Sequence, residues 1–253
     1  MSIYWPMIIV LVCLTLPGIF IAIPRLMHFM LKNNTESVVK RMSHFAIGQS
    51  FIMVFIMALA GSVLSKKTGL SAPILYPLLE GTPIQLNIID NLLSIFSITI
   101  IGLLIFLVMY YGLLNKAIGE GNKRIMQAMR KSIGLDGCML YGGVVDEIIA
   151  RWGLLNVTVF FGVLIIGNLS TQIIWFSIII SSILYTFVQI PAYLAAGCKS
   201  SRPFFYSMVL LNAWQSILFG LIFWKFGLLV AILSHMVFHL IWWLYDKPSS
   251  VTS

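Results

Sequence analysis

Seven separate apolar runs dominate this chain, at about 4–24, 46–65, 92–115, 135–167, 172–193, 203–223 and 226–245. Each has roughly 18 residues or more, enough to cross ~30 Å of hydrocarbon. Lipid offers no partner for a backbone N–H or C=O, so such a run must satisfy its own backbone as a helix. A closed β-barrel would instead show short alternating segments, and these runs are continuous. Composition excludes a soluble fold. Of 253 residues, 60% are hydrophobic and 9% charged, where a soluble domain carries about 25% charged residues. The expected fold class is all-α, a multi-pass transmembrane bundle of about 7–8 helices forming a single integral membrane domain over 1–253. The stretch Ile3–Ile23 has no basic region before it and no small-residue cleavage site after it. It is expected to stay as the first span rather than be removed as a signal peptide.

The net charge of +8 would suggest nucleic acid in a soluble protein. Here the basic residues sit between the apolar runs, so the expected partners are membrane lipids, with no nucleic acid. Arg25, Lys32, Lys40 and Arg41 lie in the first loop. Lys116, Lys123, Arg124, Arg130 and Lys131 lie in the third, and Lys199, Arg202 and Lys247 follow. If 135–167 crosses once, all twelve share a side and only Lys66, Lys67 and Lys225 face the other. That bias predicts a plasma (inner) membrane protein with the N-terminus outside and the C-terminus cytoplasmic. A straight helix of 33 residues would measure ~50 Å, so the 135–167 segment must tilt, kink or lie partly at the interface. Two crossings there would weaken the bias.

Between Asn122 and Ile133, apolar Ile125, Met126, Met129 and Ile133 recur at helical spacing among Lys123, Arg124, Arg130 and Lys131. This predicts an amphipathic basic connector over 116–134, resting on the cytoplasmic leaflet. Cys13, Cys138 and Cys198 form neither a disulfide framework nor a metal-ligand spacing. They are expected to be small buried hydrophobes. His28 and His44, in or near the first loop, are expected to have no specific role.

Arg151 is the one basic residue inside an apolar run, and Asp146 and Glu147, just before it, are the only adjacent acids. A charge at bilayer depth costs at least ~2.5–3.5 kcal/mol, and such clusters are candidates for function. Glu147 and Arg151 stand i, i+4 and can pair. Asp146 is turned by about 100° from Glu147. A structural ion pair would leave Asp146 unaccounted for. The functional reading has Arg151 hold one carboxylate while the other faces a wet cavity. In the last span, His235 and His239 are also i, i+4 and share a face. That spacing would suit two metal ligands, but H-E-x-x-H is absent because position 236 is Met. Gln189, near the end of the fifth run, taken alone reads as an interhelical hydrogen-bonding residue.

The order of these elements resembles the CAAX prenyl protease and bacteriocin-processing (CPBP) family of intramembrane proteases. That family carries E-E-x-x-x-R, F-x-x-x-H and H-x-x-x-N on three different helices. Here Asp146-Glu147-Ile-Ile-Ala-Arg151 matches the first, Tyr185-Thr-Phe-Val-Gln189 occupies the second place and His235-Met-Val-Phe-His239 the third. Gly142-Gly143, Ser181-Ser182, the Phe219-Gly220 to Gly227 run and Gly69-Leu-Ser-Ala-Pro73 agree, so the resemblance covers about 65–245. It implies an intramembrane endopeptidase acting on a membrane-associated peptide or protein, with a site opening to the cytoplasm. This chain departs from the pattern at three places: Asp146 replaces the first Glu, Gln189 the motif-two His, and His239 the final Asn. The inventory of two carboxylates, two imidazoles and one carboxamide is nevertheless kept.

No Ser or Cys is placed beside a base, so water is the expected nucleophile. Asp146 or Glu147 would be the general base, Arg151 would orient one of them, and His235 would position water or share its proton. Gln189 and His239 would donate hydrogen bonds to the oxyanion. The resemblance favours chemistry without a cofactor. Should a Zn²⁺ be bound, His235, His239 and Glu147 are the candidate ligands. The rival class is a pseudoprotease acting as a membrane scaffold or bacteriocin-immunity-type binding protein, suggested by Gln189 and His239. A transporter or channel is less suited, because the chain has no inverted repeat.

Overall fold

The structure, a computed structural model, describes residues 3–84 and 87–246. Among them there is no strand, and seven helices are long and apolar enough to cross a membrane. The chain is a multi-pass all-α membrane protein. Helix α1 is Trp5–Met30, α2 Glu36–Thr68, and a short α3 Leu75–Glu80 follows. Helix α4, Asn87–Leu107, runs on into a π-helical turn, Val108–Leu113. Then come α5 Asn115–Ile118, α6 Glu120–Gly137 and α7 Asn156–Ile166, the last two joined by π-helical stretches Cys138–Val145 and Ile148–Leu155. Helices α8 Thr171–Ala195, α9 Arg202–Phe226 and α10 Leu228–Tyr245 complete the bundle.

The long 135–167 segment is one uninterrupted helical rod and belongs to a single candidate span, Glu120–Ile166. Its excess length is absorbed by winding. In a π stretch the backbone bonds reach five residues back, as the Asp146 amide does to the Tyr141 carbonyl, and this wider turn shortens the rod. The bend in front of it falls at Gly134, whose φ of 83° and ψ of 163° break the helix. A left-handed φ of this kind suits glycine alone. The kink frees the Ile133 carbonyl, and Arg25 Nη1 donates to it at 2.7 Å while also pairing with Asp136 at 2.6 Å. A helix bend is thus capped by a cation from another span.

Three ties bring the basic segments to one end of the bundle: Arg25 to Asp136, Asn122 to the Lys199 backbone, and Arg130 to Asp246. Lys247 lies outside the described residues. At the opposite end Pro73, in the Gly69–Pro73 loop, packs where a Cβ on Gly227 would sit.

Small residues let the rod be gripped on two sides. A Cβ on Gly18 of α1 would stand 2.5 Å from the Leu140 carbonyl oxygen, and one on Gly143 would meet Met236 Cγ at 2.5 Å. Close backbone approach through small residues is how helices associate where lipid is as apolar as they are.

Two expectations change. The 116–134 connector turns its apolar stripe onto protein rather than into the leaflet. Met126 is buried, and Met129 and Ile133 line an internal cavity. The reason is Arg130, which is drawn inward by Asp246. Cys138 and Cys198 are buried, but Cys13 is exposed. It lies on the outward side of α1 with Ile9 and Phe20, where hydrocarbon rather than protein meets the thiol. His28 and His44 are both exposed.

Gly18→Val should destabilise the protein by about 1–3 kcal/mol through overpacking, read as a lowered unfolding midpoint in detergent. An unchanged midpoint would mean that α1 and the π stretch do not touch as described.

Candidate active site

The acids sit at the junction of the two π stretches, an unusual winding that often marks functional positions. There the two neighbouring carboxylates diverge. Glu147 is fully buried. Its Oε1 lies 2.7 Å from His235 Nδ1 and its Oε2 3.4 Å from Arg151 Nε. Arg151 is itself buried; its Nη2 donates to the Gln215 carbonyl at 3.3 Å, and its guanidinium lies 5.9 Å from the Phe219 ring centre. One buried carboxylate is thus shared by a cation and an imidazole. Such a cluster is tolerated in an apolar interior only while each member keeps its partners.

Asp146 points elsewhere. It lines a cavity of about 700 Å³, together with Arg151, Gln189, His235 and His239. Tyr185 stands beside both Asp146 and Gln189, and Tyr141 and Tyr193 are near Asp146 as well. The structure therefore brings Asp146, Gln189, His235 and His239 to one cavity and leaves Glu147 behind it.

The two histidines share a face of α10 as their spacing requires. Their rings stack at 4.8 Å with 12° between planes. The stack continues in both directions: Phe219 lies 4.0 Å from His235, Trp242 lies 6.2 Å from His239, and the Arg130 guanidinium caps Trp242 at 3.9 Å. Parallel stacking turns the imidazole edges side by side rather than toward a common point. Among the described residues no group of three or more His, Cys, Asp or Glu is placed to hold a metal.

Glycine again makes room. A Cβ on Gly142 would collide with His239 Nε2, so the Gly-Gly before the acids lets the imidazole approach the rod. The cavity runs from Arg151 in the interior to Arg130 and Asp246 at the basic end. Met53 of α2 and Leu184 and Val188 of α8 line it and also lie on the outer surface. Its wall is thus apolar and lipid-facing on that side.

Sequence reasoning placed Tyr185 only as a motif position, and missed Tyr141, Tyr193, Asn212 and the inward turn of Arg130. Trp242 was missed too, though its spacing three residues beyond His239 and seven beyond His235, on the same helical face, is a signal that could have found it. The others lie on helices whose packing the sequence does not state.

A helical membrane protein with a carboxylate–imidazole pair behind an apolar-walled cavity is the class that fold and site define. Residues 136–241 match the family described as type II CAAX prenyl endopeptidase Rce1-like. The match takes in all three motif segments and shows the resemblance to the CPBP family of intramembrane proteases. It supports a CAAX-type protease reading. No curated protein matches the chain, and no solved structure does.

Glu147→Leu should cost about 3–5 kcal/mol by stranding Arg151 without its carboxylate. Adding Arg151→Met should recover part of that loss. A double variant no more stable than the single one, in the same unfolding assay, would show that the pair is not coupled.

Proposed function

We propose that the protein is an intramembrane endopeptidase that hydrolyses a membrane-associated peptide with activated water. The observation that carries this is the division of labour between adjacent acids: Glu147 is occupied by His235 and Arg151, while Asp146 lines the cavity. Asp146 is the general base. It takes a proton from a water in the cavity, and the resulting hydroxide adds to the scissile carbonyl carbon. Glu147 is a positioning residue. Its bond to Nδ1 fixes the His235 ring, so that Nε2 is the free edge that holds the water, then takes the proton from Asp146 and passes it to the leaving nitrogen as the C–N bond breaks. Arg151 holds Glu147 in turn. His239 and Gln189 donate to the oxyanion, the latter steadied by Tyr185.

The lipid-facing wall at Met53, Leu184 and Val188 suits a substrate that arrives within the bilayer, and the CAAX description of the matched family points to a lipidated C-terminal tail. The excess of basic residues at the Arg130 end supports a cytoplasmic opening, with the N-terminus outside, in the plasma membrane. The 116–134 segment serves as the cytoplasmic roof of this single domain.

The test is cleavage of a fluorogenic S-alkylated peptide by protein in lipid nanodiscs. Asp146→Asn and His235→Ala should each lower turnover by about 10²–10⁴; Asp146→Asn should leave the unfolding midpoint near that of the wild type, while His235→Ala, which takes a partner from the buried Glu147, should lower it as well. Retained cleavage in His235→Ala would falsify the scheme. Turnover should also persist in excess chelator. Activity lost there and restored by Zn²⁺ would replace the proposed water activation with metal chemistry.

A further inference from the structure

Helix α7 opens on Asn156, a carboxamide fully buried where the second π stretch, Ile148–Leu155, ends. Water activation does not use it. Unlike Asn212, whose buried Nδ2 finds no hydrogen-bond partner within the protein, Asn156 engages both ends of its carboxamide. Its Nδ2 donates to the Trp152 carbonyl at 2.8 Å, and its Oδ1 accepts from the Thr68 hydroxyl of α2.

The partner of Nδ2 is the informative one. In an α-helix the Trp152 carbonyl would receive the backbone amide four residues on, which is that of Asn156. Here that backbone amide donates to the Gly153 carbonyl instead, and the side-chain amide stands in its place. A backbone carbonyl left open by a change of winding is costly in an apolar interior. Asn156 closes it at the point where the π register returns to α. A residue serving only to glue two helices would need the Thr68 contact alone.

Helix α2 docks on the same turn of the rod. A Cβ on Gly61 would collide with the Trp152 carbonyl oxygen, and one on Gly153 with Met57. Trp152 Nε1 donates to the Ala58 carbonyl at 3.2 Å, and Thr68, further along α2, reaches Asn156. The π stretch is therefore held from within by Asn156 and from outside by α2. Arg151 lies in this stretch next to Trp152, and its Nε faces Glu147 Oε2 at 3.4 Å. Glu147 directly precedes the stretch and binds His235. Rewinding these residues to α would turn Arg151 about the rod relative to Glu147.

We propose that Asn156, oriented by Thr68, is a positioning residue for the hydrolysis. It holds the π winding that sets Arg151 against Glu147, and through Glu147 it holds the His235 ring. The inference rests on the peptidase reading given above.

The experiment measures cleavage of the S-alkylated fluorogenic peptide, and backbone hydrogen exchange, on the whole protein in nanodiscs. Asn156→Leu, similar in size, should lower kcat by about 10–10²-fold, the scale of a misplacement near 1 Å, and leave KM within about twofold. The amides of 148–157 should exchange at least about tenfold faster, with those of α10 unchanged. Thr68→Val should lower kcat by less, and Thr68→Ser, which keeps the hydroxyl, should restore it. Should Asn156→Leu not fold, the Thr68 pair carries the same two readouts. A lowered unfolding midpoint, with kcat and exchange unchanged well below it, would overturn the proposal and leave Asn156 as helix glue. So would a fall in kcat without faster exchange, since the winding would then not be what Asn156 holds. If Asn156→Leu cleaves like the wild type while Asp146→Asn does not, the positioning role fails and the peptidase reading stands; if the wild type cleaves nothing, both fail.

Discussion

The burial of Glu147 governs the architecture around it. A carboxylate with no exposure, placed in a membrane-spanning rod, must be compensated by groups that come to it, since hydrocarbon and protein interior supply nothing equivalent to water. Arg151 comes from one turn along the same rod. His235 comes from α10, and so obliges α10 to pack against the π-wound segment within hydrogen-bond distance. That closeness requires Gly142 and Gly143, because any side chain there would collide with His239 or Met236. The glycines, the histidine pair and the acids are parts of one packing solution.

From this contact the site is built as a column. Phe219, His235, His239, Trp242 and the Arg130 guanidinium stack in sequence. The column links the buried ion pair to the basic end and forms one wall of the cavity. Stacking holds the imidazole planes, while the Glu147 bond holds one imidazole edge. Together these give the preorganisation that proton transfer needs. The roof helix α6 closes the column because the Gly134 bend, clamped by Arg25, redirects the chain over the end of the bundle.

The substitutions that separate this chain from the CPBP pattern also gain a physical context. Asp146 is shorter than a glutamate by one methylene, and it stands among the hydroxyls of Tyr141, Tyr185 and Tyr193. Gln189 keeps a polar neighbour in Tyr185. His239 has an aromatic sandwich made by His235 and Trp242. Each departure occupies a setting that fits the residue actually present.

The spans, the burial of Cys138 and Cys198 and the three motif segments could be read from the chain alone. Helical period and hydrocarbon thickness are constraints along one dimension, and a charge inside an apolar run stands out without any fold. The i, i+4 spacings of Glu147 with Arg151 and of His235 with His239 belong to the same kind of information. Other features depended on packing. The split of Asp146 from Glu147 into cavity and core, the inward turn of Arg130, the lipid-facing Cys13 and the orphan donor of Asn212 follow from which helices meet. Arg130 finds Asp246 across 116 residues of chain, and Glu147 finds His235 across 88. A partner that far away leaves no trace in local periodicity, so only the tertiary structure could decide which polar groups were satisfied and which were left facing the cavity.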